Sequence, residues 1–152
     1  MKTFIMPLAI MVLCLSACSN NEEIIKFKDK SFANTLHIQK VENNSSSEEV
    51  SKMVTDKDKI KEVLSMVEGL KAEEINKDTF MEKLKSQSVY MFAFFQGDGK
   101  NTEKGKYAFN ILEDGTILFH YDRVDNPGTP LITTDKNKDL LDKMKQKLDL
   151  NL

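Results

Sequence analysis

"YAFNILEDGTILFHYD", residues 107–122, carries the clearest structural signal in the chain. Two runs rich in β-branched and aromatic residues flank Glu113-Asp114-Gly115, and that pattern reads as a β-hairpin. A two-residue Asp-Gly turn would set Phe109 opposite His120 and Tyr107 opposite Asp122. A three-residue loop with Gly115 left-handed in a bulge gives a different register. It pairs Ile111 with Ile117, Phe109 with Phe119 and Tyr107 with Tyr121. Ala108 then faces His120, and Asn110 faces Leu118. One side of that hairpin is uniformly apolar and aromatic, and a slip of one residue would undo the sorting. The three-residue loop is therefore expected.

Upstream, "SVYMFAFF", residues 88–95, is apolar on both parities. Tyr90, Phe92 and Phe94 point one way, and Val89, Met91, Ala93 and Phe95 the other. A strand of this kind is central in a sheet covered on both sides, or it meets a partner. "TLHIQKV", residues 35–41, alternates as a half-buried strand should. If short, it would leave an edge free for an added strand. Between these strands, "TDKDKIKEVLSMVEGL" is a helix capped by Thr55 or Asp56, with Ile60, Val63, Leu64 and Val67 in one stripe. Thr79 and Glu82 have capping-box spacing for a short second helix offering Phe80, Met81 and Leu84. A last helix is expected from Thr134 or Asp135, burying Leu140, Leu141, Met144 and Leu148. "VDNPGTPLITTD" before it reads as a turn-rich connection.

The expected fold is thus α+β: an antiparallel sheet of about four strands with helices packed on it, in the order β-α-(α)-β-β-β-α.

The N-terminus reads differently. "MKTFIMPLAIMVLCLSA" has Lys2 as its single charge and an apolar run of about a dozen residues from Phe4 to Leu15, too short for a permanent span of roughly 20. A positive start, a short greasy stretch and small residues at its end describe a secretory signal. Leu15-Ser16-Ala17-Cys18 resembles the lipobox of bacterial lipoproteins at all four positions. The resemblance implies a signal peptide at 1–17, cleavage before Cys18 and a diacylglyceryl lipid anchor on Cys18. Residues 18–33 then form the lipidated cysteine and a polar tether, in which Ile24, Ile25 and Phe27 would make a short edge strand or lie against the domain. Residues 34–152 form a single domain. The order of elements is similar to that of small uncharacterised Gram-positive lipoproteins, including ones with a cystatin-like fold. That likeness is of layout, and no functional residue is carried over with it.

Composition agrees with such a protein. Cys14 leaves with the signal and Cys18 carries the lipid, so the mature chain has no free thiol, disulfide or thiolate metal site. Removing Lys2 leaves 21 basic against 24 acidic residues, a net charge of −3. Arg123 is the only arginine and there is no Trp. No basic stripe suited to nucleic acid is present.

Candidate chemistry is sparse. His37 and His120 are the two histidines. Without His-x-x-His or carboxylate spacing they read as unrelated surface residues rather than as a zinc site. Asp56-x-Asp58 lacks the rest of a calcium loop and reads as a helix cap. Gly97-Asp98-Gly99 reads as a turn, and Asp122-Arg123 as a surface ion pair. No catalytic residue, cofactor or metal site is expected. The sequence points to a membrane-anchored, extracytoplasmic, monomeric binding module for a protein, peptide or glycan. The alternatives are a hydrolase or metal-dependent enzyme, and an accessory or immunity factor that sequesters its target.

Overall fold

The structure, a computed structural model, describes residues 22–42, 50–97, 104–120 and 128–151. Cys14, Cys18, Tyr121, Asp122, Arg123 and the Asp98-Gly99 pair lie outside the described residues. Among the described residues the elements are β1 (Glu22–Ile24), β2 (Thr35–Val41), β3 (Ser51–Val54), α1 (Lys57–Val67), β4 (Lys71–Glu74), α2 (Lys77–Lys85), β5 (Val89–Gln96), β6 (Lys104–Leu112), β7 (Ile117–His120), β8 (Leu131–Thr133) and α3 (Lys138–Lys147).

The strands form one antiparallel sheet of eight, in the order β1-β4-β8-β7-β6-β5-β2-β3. This corrects the expected sheet of about four strands. β2, β5, β6 and β7 are the strands legible in the sequence. β1, β3, β4 and β8 are three or four residues long and add to both sides of that centre. β2 is consequently not an edge: it lies between β5 and β3, and β3 and β1 close the two ends of the sheet. The stretch expected to be a turn-rich connection supplies β8.

The hairpin has the three-residue loop. Phe109 pairs with Phe119, Ile111 with Ile117, Ala108 with His120 and Asn110 with Leu118. Gly115 has φ +87°. A Cβ there would lie 2.2 Å from the backbone nitrogen of Lys138 and 2.6 Å from the carbonyl carbon of Asn137. Glycine thus serves twice, in the left-handed turn and where α3 starts against it. The Asn137 N–H donates to the Gly115 carbonyl at 2.8 Å, and Lys136 pairs with Asp114 at 2.9 Å.

α1 and α3 share one face of the sheet. Ile60, Val63, Leu64 and Val67 from α1 and Leu141, Met144 and Leu148 from the α3 region bury against Leu36, Ile38, Tyr90, Phe92, Phe94, Phe109, Ile111 and Phe119. The Phe92 and Phe109 rings stack at 5.1 Å. Asp56 caps α1, accepting from the N–H groups of Asp58 and Lys59 at 3.0 and 3.2 Å. The Lys52 ammonium of β3 donates to the Leu148 and Asp149 carbonyls at 2.7 and 2.9 Å, satisfying acceptors that the end of α3 leaves over.

Two helix starts differ from expectation. α2 is capped by Asn76, whose side chain accepts from the Thr79 N–H at 2.8 Å, so Thr79 lies inside the helix rather than at its cap. α3 begins at Lys138, because Leu131–Thr133 extend the sheet and the chain must turn before the helix can start.

Residues 22–34 belong to the folded unit. β1 pairs with β4, and the Ile25 N–H donates to the Leu70 carbonyl at 2.9 Å while Ile25 itself is buried. Phe27 packs edge-on against Tyr107 at 4.9 Å, the Asp29 N–H donates to the Tyr107 hydroxyl at 3.1 Å, and Lys30 pairs with Glu68. The apolar cluster Ile24, Ile25 and Phe27 therefore supplies both an edge strand and a packed strap.

Candidate functional site

The two sides of the sheet are finished differently. Opposite α1 and α3, the short helix α2 places Phe80 and Leu84 on Val89, Leu112, Leu118 and Ile132. That covers the sheet only where β5 begins, β6 ends, and β7 and β8 run past. Among the described residues no element lies on the remaining half.

Strand alternation and register define what this half presents. One row across the sheet runs Met53, His37, Ala93, Ala108, His120. The next runs Ser51, Gln39, Met91, Asn110, Leu118, and passes under α2 at Leu118. Beyond the first row, Thr35 pairs with Phe95 and Phe95 with Gly105. Met53 and Met91 are 49% and 43% exposed, whereas Phe92 and Phe94, their neighbours in the core, are at 1% and 0%. Ala93, Phe95 and Ala108 are half-buried. The surface is therefore a shallow one of small residues at its middle, with methionines, a phenylalanine, His37 and Gln39 around them.

This half-face divides the aromatic strand of the sequence in two. Tyr90, Phe92 and Phe94 are core. Met91 and Phe95 belong to the surface. Met53 was missed, because "SKMV" is too short to show alternation; the signal available was its Met-Val pair beside a helix cap.

His37 and His120 share one row of the backbone register without being neighbours. Three strand spacings separate their backbones, about 14 Å at the usual interval between strands. Among the described residues, no group of three or more His, Cys, Asp or Glu is placed to hold a metal ion. What the face offers is van der Waals contact and amide chemistry. Methionine suits such a surface because its flexible, polarisable thioether adapts to differently shaped partners. β3, a strand of four residues, closes this end of the sheet among the described residues.

A second concavity lies on the helical side. A cleft of about 380 Å³ is bordered by Met66, Leu70, Lys136, Asn137, Lys138 and Lys143, among others. Its charge is partly spent, since Lys136 is held by Asp114 and Asp139 borders the same cleft. Partial burial raises the pKa of the Asp114 carboxyl, but hydrogen bonds from Lys136 and Thr116 more than offset that and hold it at about 2. The pair fastens α3 to the hairpin, which gives it a structural use. Glu68 is likewise held below the ordinary carboxylate value, chiefly by its hydrogen bond from Lys30, and that pair fastens the N-terminal strap.

No helix among the described residues is long and apolar enough to cross a membrane. Comparison with protein-family models, with curated proteins and with solved structures finds no match to this chain.

Proposed function

We propose that this protein is a bacterial lipoprotein, held at the extracytoplasmic face of a membrane by a diacylglyceryl group on Cys18, whose domain is a non-enzymatic binding module. The observation that carries the anchor is Leu15-Ser16-Ala17-Cys18 at the end of a short apolar run that Lys2 introduces. The polar sequence Ser19-Asn20-Asn21 follows at once, as befits chain emerging from a lipid.

The binding role rests on the half-bare sheet face. Exposed Met53 and Met91 lie on β3 and β5, to either side of His37 and Gln39 of β2, and half-buried Ala93 follows Met91 on β5. Exposed large apolar side chains grouped on one sheet face are a surface to which a partner can add contact. A protein or peptide ligand fits it best, because flexible methionine side chains adapt to apolar side chains of different shapes.

Metabolic labelling with a tagged fatty acid tests the anchor. Wild type is expected to take the label and fractionate with membranes, and Cys18→Ser is expected to lose both properties. Equal labelling of the two chains, or intact Met1 on protein purified from membranes, would contradict the proposal.

A further inference from the structure

The distance along the chain from Cys18 to the folded unit is short. Three residues, 19–21, separate it from Glu22, the first residue of β1. Whatever path they take, the Cα atoms of Cys18 and Glu22 lie within about 14 Å of each other, the reach of fully extended chain. The sheet is much wider than that: eight strands at the usual spacing put β3 about 33 Å from β1.

We infer that in the anchored protein a phospholipid bilayer lies against the β1/β4 edge of the sheet, and that the β3 edge with the bare half-face is turned away from it. The inference rests on lipidation of Cys18 as proposed above. Glu74 stands beside the point where the chain enters β1, since Glu22 pairs with Glu73. Met53 stands at the other end of the sheet.

A short leash alone would also let the domain lie flat, so the two faces matter. The helical face has little to hold it down. Among the described residues, the large apolar side chains most open to solvent are Ile24, Met53, Met81 and Met91, and none is on α1 or α3. Several of its lysines are occupied by carboxylates, Lys147 with Glu62 at 2.6 Å and Lys59 with Asp149 at 3.4 Å, and Lys145 sits over the Tyr90 ring at 4.3 Å. The other face cannot lie flush, because α2 stands on half of it. At the near edge, Glu22, Glu23, Glu73 and Glu74 outnumber Lys71, which Glu22 engages at 3.4 Å. Those carboxylates keep the edge at the headgroups instead of letting it sink. Among the described residues, the one large exposed apolar side chain there is Ile24.

The mature chain has no thiol besides Cys18, so a single introduced cysteine can be labelled uniquely. Full-length Glu74→Cys and Met53→Cys proteins, purified from membranes, would carry an environment-insensitive fluorophore. Each would be reconstituted into phosphatidylcholine–phosphatidylglycerol vesicles containing a headgroup nitroxide quencher. The expected result is loss of most of the fluorescence at position 74 and little loss at position 53. An insert of about ten Gly and Ser residues between Asn21 and Glu22 should lengthen the leash and erase the difference. Equal quenching at the two positions of lipidated protein would mean a domain lying flat, and would overturn the orientation while leaving the anchor standing. Protein that carries no lipid by mass and stays out of the vesicles would overturn both.

Discussion

Met91 and Phe92 are consecutive residues of one strand, yet one is 43% exposed and the other 1%. The contrast holds for the two faces of the sheet as wholes. On one side, α1, α3 and the strap from Ile25 to Asn34 close over an aromatic row in which Phe92, Phe109 and Phe119 follow one another across the strands. On the other, α2 reaches Val89, Leu112 and Leu118 and stops. The second face is thus packed only under α2, among the described residues. The second face is free to present side chains chosen for other reasons.

That difference can be broken most severely from the closed side. Phe92→Ala removes a ring from the centre of the core and is expected to cost about 3–5 kcal/mol, read as a lower urea midpoint at unchanged slope. A loss under 1 kcal/mol would mean that the helices do not close on this row. Gly115→Ala comes next. The new methyl would be driven into the Asn137–Lys138 backbone at a φ of +87°, and about 2–4 kcal/mol should be lost. If the variant is as stable as wild type, α3 does not start against the turn.

A smaller effect comes from the pair that ties α3 to the hairpin. With its pKa held at about 2, Asp114 stabilises the fold above the ordinary carboxylate value, and this contribution fades as pH falls from about 4 to about 2. Asp114→Asn should therefore cost about 1–2 kcal/mol at neutral pH, a figure reduced for the solvent that reaches the pair. The gap from wild type should close in that acid window, as equilibrium unfolding against pH would show. A gap independent of pH would remove the carboxylate from the explanation. The smallest effect is expected on the open face, where Met91→Ser should shift stability within about 0.5 kcal/mol, as exposed substitutions usually do.

The sequence disclosed the parts whose pattern is long enough to repeat. The α1 stripe runs through two full turns, and Ile60, Val63, Leu64 and Val67 are all buried as the spacing required. The hairpin register was legible because only one pairing sorts Ile111, Phe109, Ile117 and Phe119 onto one side. The strands that escaped are short, and one contradicts local preference. β4 is Lys-Ala-Glu-Glu, poor strand formers, with Ala72 alone fully buried. It is a strand because β8 and β1 pair with it from both sides, a tertiary cause with no local signal. β3 and β8 are too short to show a period, and with β1 these additions double the sheet. Start signals misled for a related reason. "TDKNK" at 134–138 resembles the cap of α1, but Thr134 is drawn toward β4, its N–H donating to the Lys71 carbonyl at 3.1 Å. Of the surface proposed as the site, Met91 and Phe95 could be assigned a shared face from parity. That α2 would cover only half of that face, and that Met53 would join it, depended on packing between segments far apart in sequence.

The methionines give the most direct test of the difference between the faces, because they sit on both. Brief peroxide treatment of the purified mature domain, followed by peptide mass spectrometry, reports oxidation at each thioether. The expected result is rapid oxidation of Met53 and Met91 and near-complete protection of Met144, which is buried under α3. Met91 oxidising as slowly as Met144 would contradict the account, since it would mean that the second face of the sheet is closed like the first.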